Sequence, residues 1–305
     1  MGEEVIGGVI PTTYMGSQGM FVALILCYLV AKVYCKILSS KLKIKLPDSV
    51  PPMVSSSFES LIPVIITLVL VCSINYCFTL TSFGNIHALV NEIIQKPLLL
   101  IGTGLPALLI SQGLAQLLWF FGLHGDQIVG SVMDPILQTA GMENLSAYTA
   151  GDAVPYIITD QFRALFVMIA FMSLVIAILI VSKSNRLKGV GKVAVLPATF
   201  CISEPVVFGA PVVMNAMLFI PWVLSRPVFG LITWLFMKFG LCPYPTGVAI
   251  PWTTPPVLSG FLATNSIMGA VVQIICLAIG VLMFIPFVKM IDKTYHQEEI
   301  KTKEQ

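Results

Sequence analysis

The sequence feature that most constrains the fold is a single glutamate between prolines in an apolar stretch. Glu204 lies in CISEPVVFGAP, residues 201–211, and no other charged residue occurs from Val193 to Leu224. A charged side chain at the middle of a bilayer costs about 2.5–3.5 kcal/mol on insertion scales, so such residues usually face a polar pathway or ligand. Pro205 and Pro211 each remove a backbone donor. The motif therefore indicates a broken segment with an acid at a polar-solute site.

The composition indicates that this site lies in a membrane protein. Hydrophobic residues make up 57% of the 305 residues, charged residues make up 10%, and the mean hydropathy is +0.92. Ordinary soluble domains contain about 25% charged residues. A net charge of +2 gives no support for nucleic-acid binding. We therefore expect an all-α polytopic membrane protein.

The apolar runs predict about six transmembrane helices, since each span needs about 20 apolar residues. Two interrupted apolar regions, near 122–155 and 192–221, are predicted to form re-entrant hairpins. Residues 39–58 alternate basic and apolar residues before a run of prolines and are predicted to form an interfacial connector. Residues 85–96 carry their apolar side chains on one helical stripe and are predicted to form an interfacial amphipathic helix. The proline-rich segment 241–262 is predicted to be an extended loop that dips toward the same cavity. The predicted spans are 17–38, 61–83, 98–121, 162–181, 217–239 and 267–288.

These elements suggest three divisions of the chain. Residues 1–58 are predicted to hold one span and the connector, and residues 59–293 the remaining spans and both interrupted regions. Residues 294–305 form a charged tail. Two basic clusters, 183–192 and 289–303, are predicted to share the cytoplasmic face. The basic cluster at 36–45 does not fall on the same face if every predicted span crosses the membrane fully.

Glu204 and His124 are the principal candidates for chemistry. Glu204 is interpreted as an acceptor for sugar hydroxyls, and the alternative is a carboxyl that caps free backbone groups. His124, in the segment GLHGD, is able to accept and donate protons near neutral pH. The alternative is a core histidine satisfied by a backbone carbonyl. Only tertiary folding would bring the two residues together.

Trp252 lies in the segment IPWTTPP, residues 250–256, where its flat face suits a sugar ring and Thr253 adds a hydroxyl. An interfacial anchor is the alternative for Trp252. The other three tryptophans lie near predicted span ends and are assigned to the interface. Asp126 and Asp134 are interpreted as caps, and Asp160 and Arg163 as an ion pair on one helix face.

Several separated motifs resemble one family. Residues 202–209 (ISEPVVFG) resemble the "NEPVIFG" segment of enzyme IIC of the phosphoenolpyruvate-dependent sugar phosphotransferase system, in its lactose, cellobiose and diacetylchitobiose branch. Ser203 stands where that family usually has asparagine. The resemblance runs from about residue 16 to residue 293 and is also carried by HGD (124–126), IVGSVMDP (128–135), LPDSVPP (46–52) and VAIPWTTPP (248–256).

The resemblance implies a permease in the bacterial inner membrane that binds a β-disaccharide and moves it inward. A cytoplasmic IIB protein with a phosphocysteine, supplied by IIA, would phosphorylate the sugar at its 6-hydroxyl. By the same resemblance, Glu204 binds that hydroxyl, His124 lies beside it, and Ser203, Trp252 and Thr253 complete the pocket. The phosphoryl-carrying residue would be on the partner, and no cofactor, metal or nucleic acid is expected. Full-length members of the family are expected to be homodimers in the lipid bilayer.

By the same resemblance, residues 1–58 would hold the last span of an N-terminal oligomerisation half and its connector, and residues 59–293 the sugar-binding and translocation domain. Family members typically have several further N-terminal spans, so an N-terminally truncated member is expected. Two alternatives to the permease therefore stay open. The first is a secondary sugar transporter driven by ions, which would release unmodified sugar. The second is a truncated subunit without transport activity that serves only in interactions.

Overall fold

The computed structural model describes residues 15, 17–42, 44, 46–47, 50–210 and 212–303. Lys43 and Lys45 of the basic cluster 36–45, Asp48 and Ser49 of the LPDSVPP motif, and Pro211 lie outside these residues. The described residues form helices and connecting segments and contain no strand. The helices are α1 (Ser17–Leu38), α2 (Pro52–Thr79), α3 (Ile86–Val90), α4 (Lys96–Gly102), α5 (Leu105–Phe120), α6 (Gly125–Ala150), α7 (Phe171–Val181), α8 (Asn185–Thr199), α9 (Glu204–Gly209), α10 (Ala216–Lys238), α11 (Leu258–Thr264) and α12 (Ile267–Lys303).

The all-α polytopic fold class is confirmed. By length and composition, five helices of the described chain could cross a membrane, or six if Ile86–Gly102 and Leu105–Phe120 count as one bent span. A π-helical segment, Phe162–Val167, and a 3-10 turn, Met168–Ala170, continue into α7. The predicted span Phe162–Val181 is therefore confirmed.

The helix α2 begins earlier than the predicted span at residue 61. Pro52 occupies its first turn, where the missing N–H is no loss. Serine hydroxyls of the polar first turns donate to their own helix, as Ser56 Oγ does to Met53 O (2.9 Å) and Ser60 Oγ to Ser57 O (2.7 Å). These hydroxyls are therefore satisfied by carbonyl oxygens of their own helix. The predicted connector 39–58 is correspondingly shorter.

The predicted amphipathic helix at residues 85–96 is present, and it extends further than predicted. Asn85 Oδ1 accepts the backbone N–H of Ala88 at 2.8 Å and caps α3. A π-helical turn, Asn91–Gln95, joins α3 to α4. The span predicted at 98–121 is broken between α4 and α5, where Gly104 precedes α5 and a proline lies in its first turn.

The chain divides into two compact units, Met1–Leu98 and Leu99–Gln305. In the first unit, α1 packs against α2 and α3. In the second unit, α10 packs against α5 and α12, while α7 packs against α12 and α8. Buried side chains of the second unit form two clusters, one around Trp222 and Phe284 and the other around Phe162 and Phe229. The boundaries predicted at residues 58 and 293 concern function and stay predictions.

The two regions predicted as hairpins differ in form. Residues 125–150 form the continuous helix α6, which ends at Gly151 (φ 80°), and an irregular segment follows up to Thr159. The second region is a helix–turn–helix of α8 and α9. Cys201 turns the chain with φ 63°, and its N–H donates to Ala198 O at 2.9 Å. That either region re-enters a membrane stays a prediction.

The helix α12 continues beyond the predicted span end at residue 288 and reaches Lys303. Its extension contacts the beginning of α8. Asp292, which is buried, accepts the backbone N–H groups of Lys183 (2.7 Å) and Ser184 (2.9 Å). Glu299 accepts those of Asn185 and Arg186, both at 3.0 Å. These contacts confirm that the two C-terminal basic clusters lie at the same end of this unit.

Candidate functional site

A cavity of about 610 Å³ in the second unit contains four of the five predicted site residues. The turn between α5 and α6 contributes His124, the turn between α8 and α9 contributes Ser203 and Glu204, and the loop before α11 contributes Trp252. Thr253 follows Trp252 but does not line the cavity. The other lining residues are Trp119, Asp126, Gln127, Asp134, Gln138, Asp160, Gln161, Arg163, Ala164, Leu165, Met168, Cys201, Ile250 and Pro251.

His124 lines the cavity as the N-cap residue of α6. Its Nδ1 accepts the backbone N–H of Gln127 at 3.3 Å. A neutral imidazole that accepts at Nδ1 carries its proton on Nε2, so Nε2–H is a donor. The side chain is exposed, which contradicts the alternative of a core histidine satisfied by a backbone carbonyl.

Gly125 places this turn against α5. A Cβ at residue 125 would lie 1.9 Å from Ala115 O, so the backbones of α5 and α6 approach more closely than any other residue would allow. Gly122 turns the chain just before it with φ 79°. The glycines on either side of His124 therefore fix where the imidazole enters the cavity.

Glu204 is the first residue of α9, and its side chain is exposed to the cavity. Pro205 follows within the first turn of α9, where a missing N–H is tolerated. The carboxylate has no hydrogen-bond or ion-pair partner among the residues that the structure describes. This absence of a partner within the described chain contradicts the alternative in which the carboxyl of Glu204 caps free backbone groups. Ser203 precedes it as the N-cap residue, without a side-chain capping bond.

The loop that carries Trp252 is held by buried amide side chains from three helical segments. Asn144 Nδ2 donates to Pro245 O at 2.8 Å, and Gln161 Nε2 donates to Val248 O. Gln273 Oε1 accepts the N–H of Val257 at 2.5 Å. Trp252 itself is 58% exposed, so its ring is free to contact a ligand.

One buried ion pair lies beside His124. Arg226, in the middle of α10, is 2% exposed and bonds Asp126 through both terminal nitrogens, with 3.0 Å between Nη2 and Oδ2. Asp126 also accepts Trp119 Nε1–H at 2.9 Å, and the rings of Trp119 and His124 have centroids 4.5 Å apart. The prediction of Asp126 and Asp134 as caps is wrong, because His124 is the N-cap residue of α6 and both aspartates lie inside that helix.

A second ion pair joins α6 to the Phe162–Val181 span. Arg163 Nη2 donates to Asp134 Oδ1, so the predicted pairing of Arg163 with Asp160 is wrong. The tertiary partner is closer than the neighbour on the same helix. The Nε and Nη1 atoms of Arg163 are buried and have no partner within the described part of the chain. Arg163 also lines the cavity.

Asp160 also lines the cavity, just before the span. Burial raises the pKa of Asp160 above the usual range of a carboxyl group, although backbone N–H groups of Gln161 and of Asp160 itself oppose the shift. Within the described chain, no group of three or more His, Cys, Asp or Glu side chains could hold a metal ion.

Two tryptophans that were assigned to the interface are buried instead. Trp119 is 3% exposed and Trp222 is 1% exposed. Trp222 Nε1–H donates to Gln116 O at 3.1 Å. Arg226 was not among the predicted site residues, although a lone arginine in the middle of a predicted span indicates a functional position.

The chain is similar to known proteins. The family "Phosphotransferase system, EIIC" matches residues 2–225. An oligo-beta-mannoside-specific EIIC component from Bacillus subtilis (strain 168) is 44% identical over 295 residues, covering 95% of this chain and 67% of the relative. A cellobiose-specific EIIC component from Geobacillus stearothermophilus is 38% identical over 301 residues, with 96% and 67% covered.

A solved structure is also similar. The crystal structure of ChbC, the IIC component from the N,N'-diacetylchitobiose-specific phosphotransferase system, matches with a TM-score of 0.93 and 38% identity. The match covers 96% of this chain and 69% of that chain, so the chain spans about two thirds of the length of these proteins. The family match and the identities agree with the resemblance seen in the motifs. The chain therefore belongs to the EIIC family of the phosphotransferase system, as a multi-pass sugar-transport component.

Proposed function

We propose that the chain binds a β-linked disaccharide in the cavity of about 610 Å³ and presents its 6-hydroxyl for phosphorylation. The observation that carries the proposal is the meeting of His124, Glu204 and Trp252 around one cavity, although they lie far apart in sequence. Small-molecule sites commonly measure about 300–1,000 Å³ and combine apolar walls with a few placed polar groups. A disaccharide fits that range.

The names of the similar proteins support the substrate class. They refer to oligo-beta-mannoside, cellobiose and N,N'-diacetylchitobiose, which are all β-linked sugars. The cavity offers several hydrogen-bonding side chains beside Trp252, as the many hydroxyls and the apolar ring faces of such a sugar require. We assign the chain to this class of sugars, without choosing among them.

Glu204 is the residue proposed to hold the reacting hydroxyl. Its carboxylate is exposed in the cavity and unpartnered among described residues, so it is free to accept the hydrogen bond of the 6-hydroxyl. In the transfer, the sugar O6 forms a bond to phosphorus, the partner's S–P bond breaks, and the thiolate leaves. The proton of the hydroxyl passes to Glu204. Catalysis by this chain is thus placement and proton acceptance.

His124 is proposed to lie beside the same hydroxyl. Because Nδ1 is occupied by the N–H of Gln127, the available Nε2–H donates to an oxygen of the sugar rather than accepting a proton. His124 is therefore assigned to orienting the sugar and not to accepting the proton of its hydroxyl. Ser203 precedes Glu204 on the same turn and adds a hydroxyl, while Trp252 provides a stacking face. Thr253 follows Trp252 in the same loop and stays a predicted sugar-binding residue.

The partners follow from the chemistry. An EIIC component works with IIB and IIA proteins, and the phosphoryl group would come from a phosphocysteine of IIB. A homodimer in the inner membrane of a bacterium is proposed for the assembled transporter. The end of the second unit that carries Lys183, Arg186 and Lys293 would face the cytoplasm, because basic residues concentrate on that side.

The test uses the chain in membrane vesicles supplied with IIA, IIB, phosphoenolpyruvate and labelled cellobiose. We expect accumulation of cellobiose phosphate, and Glu204→Gln is expected to lower its rate about 100-fold or more while sugar binding changes less than about tenfold. Glu92→Gln, which removes an exposed carboxylate from the first unit, is the matched control and should transfer normally.

Three results would contradict the proposal. Accumulation of unmodified sugar would support the ion-driven transporter. Absence of sugar binding by the wild-type chain would support a subunit that only interacts. Wild-type phosphorylation by Glu204→Gln would remove the role assigned to that carboxylate.

A further inference from the structure

We infer that Arg226 is a positioning residue that orients His124 through Asp126 and Trp119. The inference rests on the proposed function, because it concerns the imidazole assigned there to the sugar. Arg226 lies in α10, among the largest fully buried side chains of the described chain. Its own effect on the reaction is indirect, since three contacts connect it to His124.

The first contact is the ion pair between α10 and α6. Arg226 Nη1 and Nη2 each donate to one carboxylate oxygen of Asp126, which is the bidentate arrangement. A planar guanidinium and a planar carboxylate joined in this way have a fixed relative orientation, whereas an ammonium gives only a point charge. Asp126 is therefore held in one orientation by a helix that does not carry a predicted site residue.

The second contact passes this orientation to an indole. Asp126 Oδ2, which already accepts from Arg226, also accepts Trp119 Nε1–H at 2.9 Å. Trp119 is nearly inaccessible to solvent, so the indole N–H needs a partner within the protein. A rotation of the ring would break this hydrogen bond, and Asp126 therefore selects one orientation of Trp119.

The third contact is between the rings of Trp119 and His124, whose centroids are 4.5 Å apart with 47° between their planes. Within the described part of the chain, the imidazole has one further contact, a hydrogen bond of 3.3 Å from the N–H of Gln127. A long hydrogen bond leaves the ring free to tilt. The indole restricts that tilt and directs the imidazole into the cavity.

A role in stability alone does not account for this arrangement. Burying an ion pair brings little net stabilisation, because desolvation of both charges offsets their attraction. Apolar side chains could join α10 to α6 without placing Trp119. The bidentate geometry and the additional acceptor role of Asp126 are instead what orientation of the indole requires.

The experiment measures phosphoryl transfer from IIB to cellobiose, the equilibrium affinity for cellobiose and thermal unfolding. Arg226→Lys keeps a positive charge beside Asp126 but loses the bidentate guanidinium. A double variant, Asp126→Leu with Arg226→Met, removes both charges. We expect kcat to fall about tenfold in Arg226→Lys and up to about 100-fold in the double variant, because small misplacements of a reacting group cost that much. KM should change less than kcat in both.

A spectroscopic readout tests the contact itself. In chain labelled with 15N-tryptophan, the indole N–H signal of Trp119, assigned by its loss in Trp119→Phe, should shift in Arg226→Lys. Thr233→Val is the control, since Thr233 is fully buried in the same helix and has no site contact. It should change neither kcat nor the indole signal.

The outcomes separate this inference from the proposed function. If His124→Gln transfers at the wild-type rate, the proposed role of His124 is wrong. If His124→Gln is impaired while Arg226→Lys retains wild-type kcat and indole signal, the positioning role is wrong and the proposed function stands. Should the double variant fail to fold, Arg226→Lys alone decides.

Discussion

Gln273 Oε1 accepts the backbone N–H of Val257 at 2.5 Å, and this contact fixes the end of the loop that carries Trp252. Val257 has φ 76° and ψ −54°, a conformation that a β-branched residue rarely adopts. Such strain persists only where surrounding contacts hold it. Gln273 also accepts from Gly260 N and donates to Leu165 O and Ser259 Oγ, so one buried amide connects α12 to the cavity wall.

We expect Gln273→Leu to lower the free energy of unfolding by about 3–5 kcal/mol, because it leaves several buried backbone groups without partners. The affinity for cellobiose should also fall, since the loop of Trp252 loses its anchor. Thermal unfolding in detergent and equilibrium titration with cellobiose measure the two effects.

Gln112 provides a matched control, because it is equally buried but neither its amide nitrogen nor its amide oxygen has a partner among described residues. Gln112→Leu should leave the melting temperature unchanged or raise it, since an unpaired buried amide is replaced by an apolar group of similar size. Equal destabilisation by the two substitutions would contradict the importance of the Gln273 contacts.

Asp134→Asn should destabilise the chain by removing the charge that faces Arg163. We expect a loss of about 1–3 kcal/mol, less than the 3–5 kcal/mol typical of fully buried pairs, because the Asp134 side chain is 38% exposed. Glu92→Gln breaks the exposed pair between Glu92 and Lys96 and should cost at most about 0.5 kcal/mol. Thermal unfolding measures the stability lost in each variant. A larger loss for Glu92→Gln than for Asp134→Asn would contradict the importance of the pair between Asp134 and Arg163.

Gly125→Ala should prevent α6 from packing on α5. The added Cβ would lie 1.9 Å from Ala115 O and 2.7 Å from the Ala115 carbonyl carbon, and backbone atoms cannot move aside as a flexible side chain can. We expect the free energy of unfolding to fall by about 3 kcal/mol or more. Cellobiose binding should be lost as well, because His124 would be displaced from the cavity.

Gly189→Ala is the control for that substitution. Gly189 lies inside α8 with no atom within 4 Å of an added Cβ. Alanine there should stabilise the helix by about 0.5–1 kcal/mol. The two variants should therefore have opposite shifts in melting temperature, and a shift of the same sign would contradict the close approach at Gly125.

Asp292→Asn should loosen the beginning of α8. It removes a negative charge from the helix N-terminus and weakens the hydrogen bonds from the backbone N–H groups of Lys183 and Ser184. The free energy of unfolding should fall by about 1–3 kcal/mol. Trypsin cleavage at Lys183 and Arg186 should become faster. Asp152→Asn, at an exposed residue after α6, should leave both the melting temperature and the cleavage rate unchanged.

The apolar spans were predictable because a span is recognised from consecutive apolar residues, which do not depend on tertiary contacts. Phe162–Val181 matches its prediction, and the start of α12 does too. The length of α12 was underestimated because its last turns are polar and are held by tertiary contacts of Asp292 and Glu299. Residues in the motifs, such as His124 and Glu204, were identified from their own chemistry.

By itself, the sequence determined the membrane class, the approximate spans and the candidates Glu204, His124, Ser203 and Trp252, since composition and short motifs carry that information. The partners of the charged residues were decided only by tertiary structure. Arg163 pairs with Asp134 rather than Asp160, and Arg226 bonds Asp126 from 100 residues away. Buried charges pair with whichever opposite charge the packing of helices brings close, and helix packing depends on the whole chain.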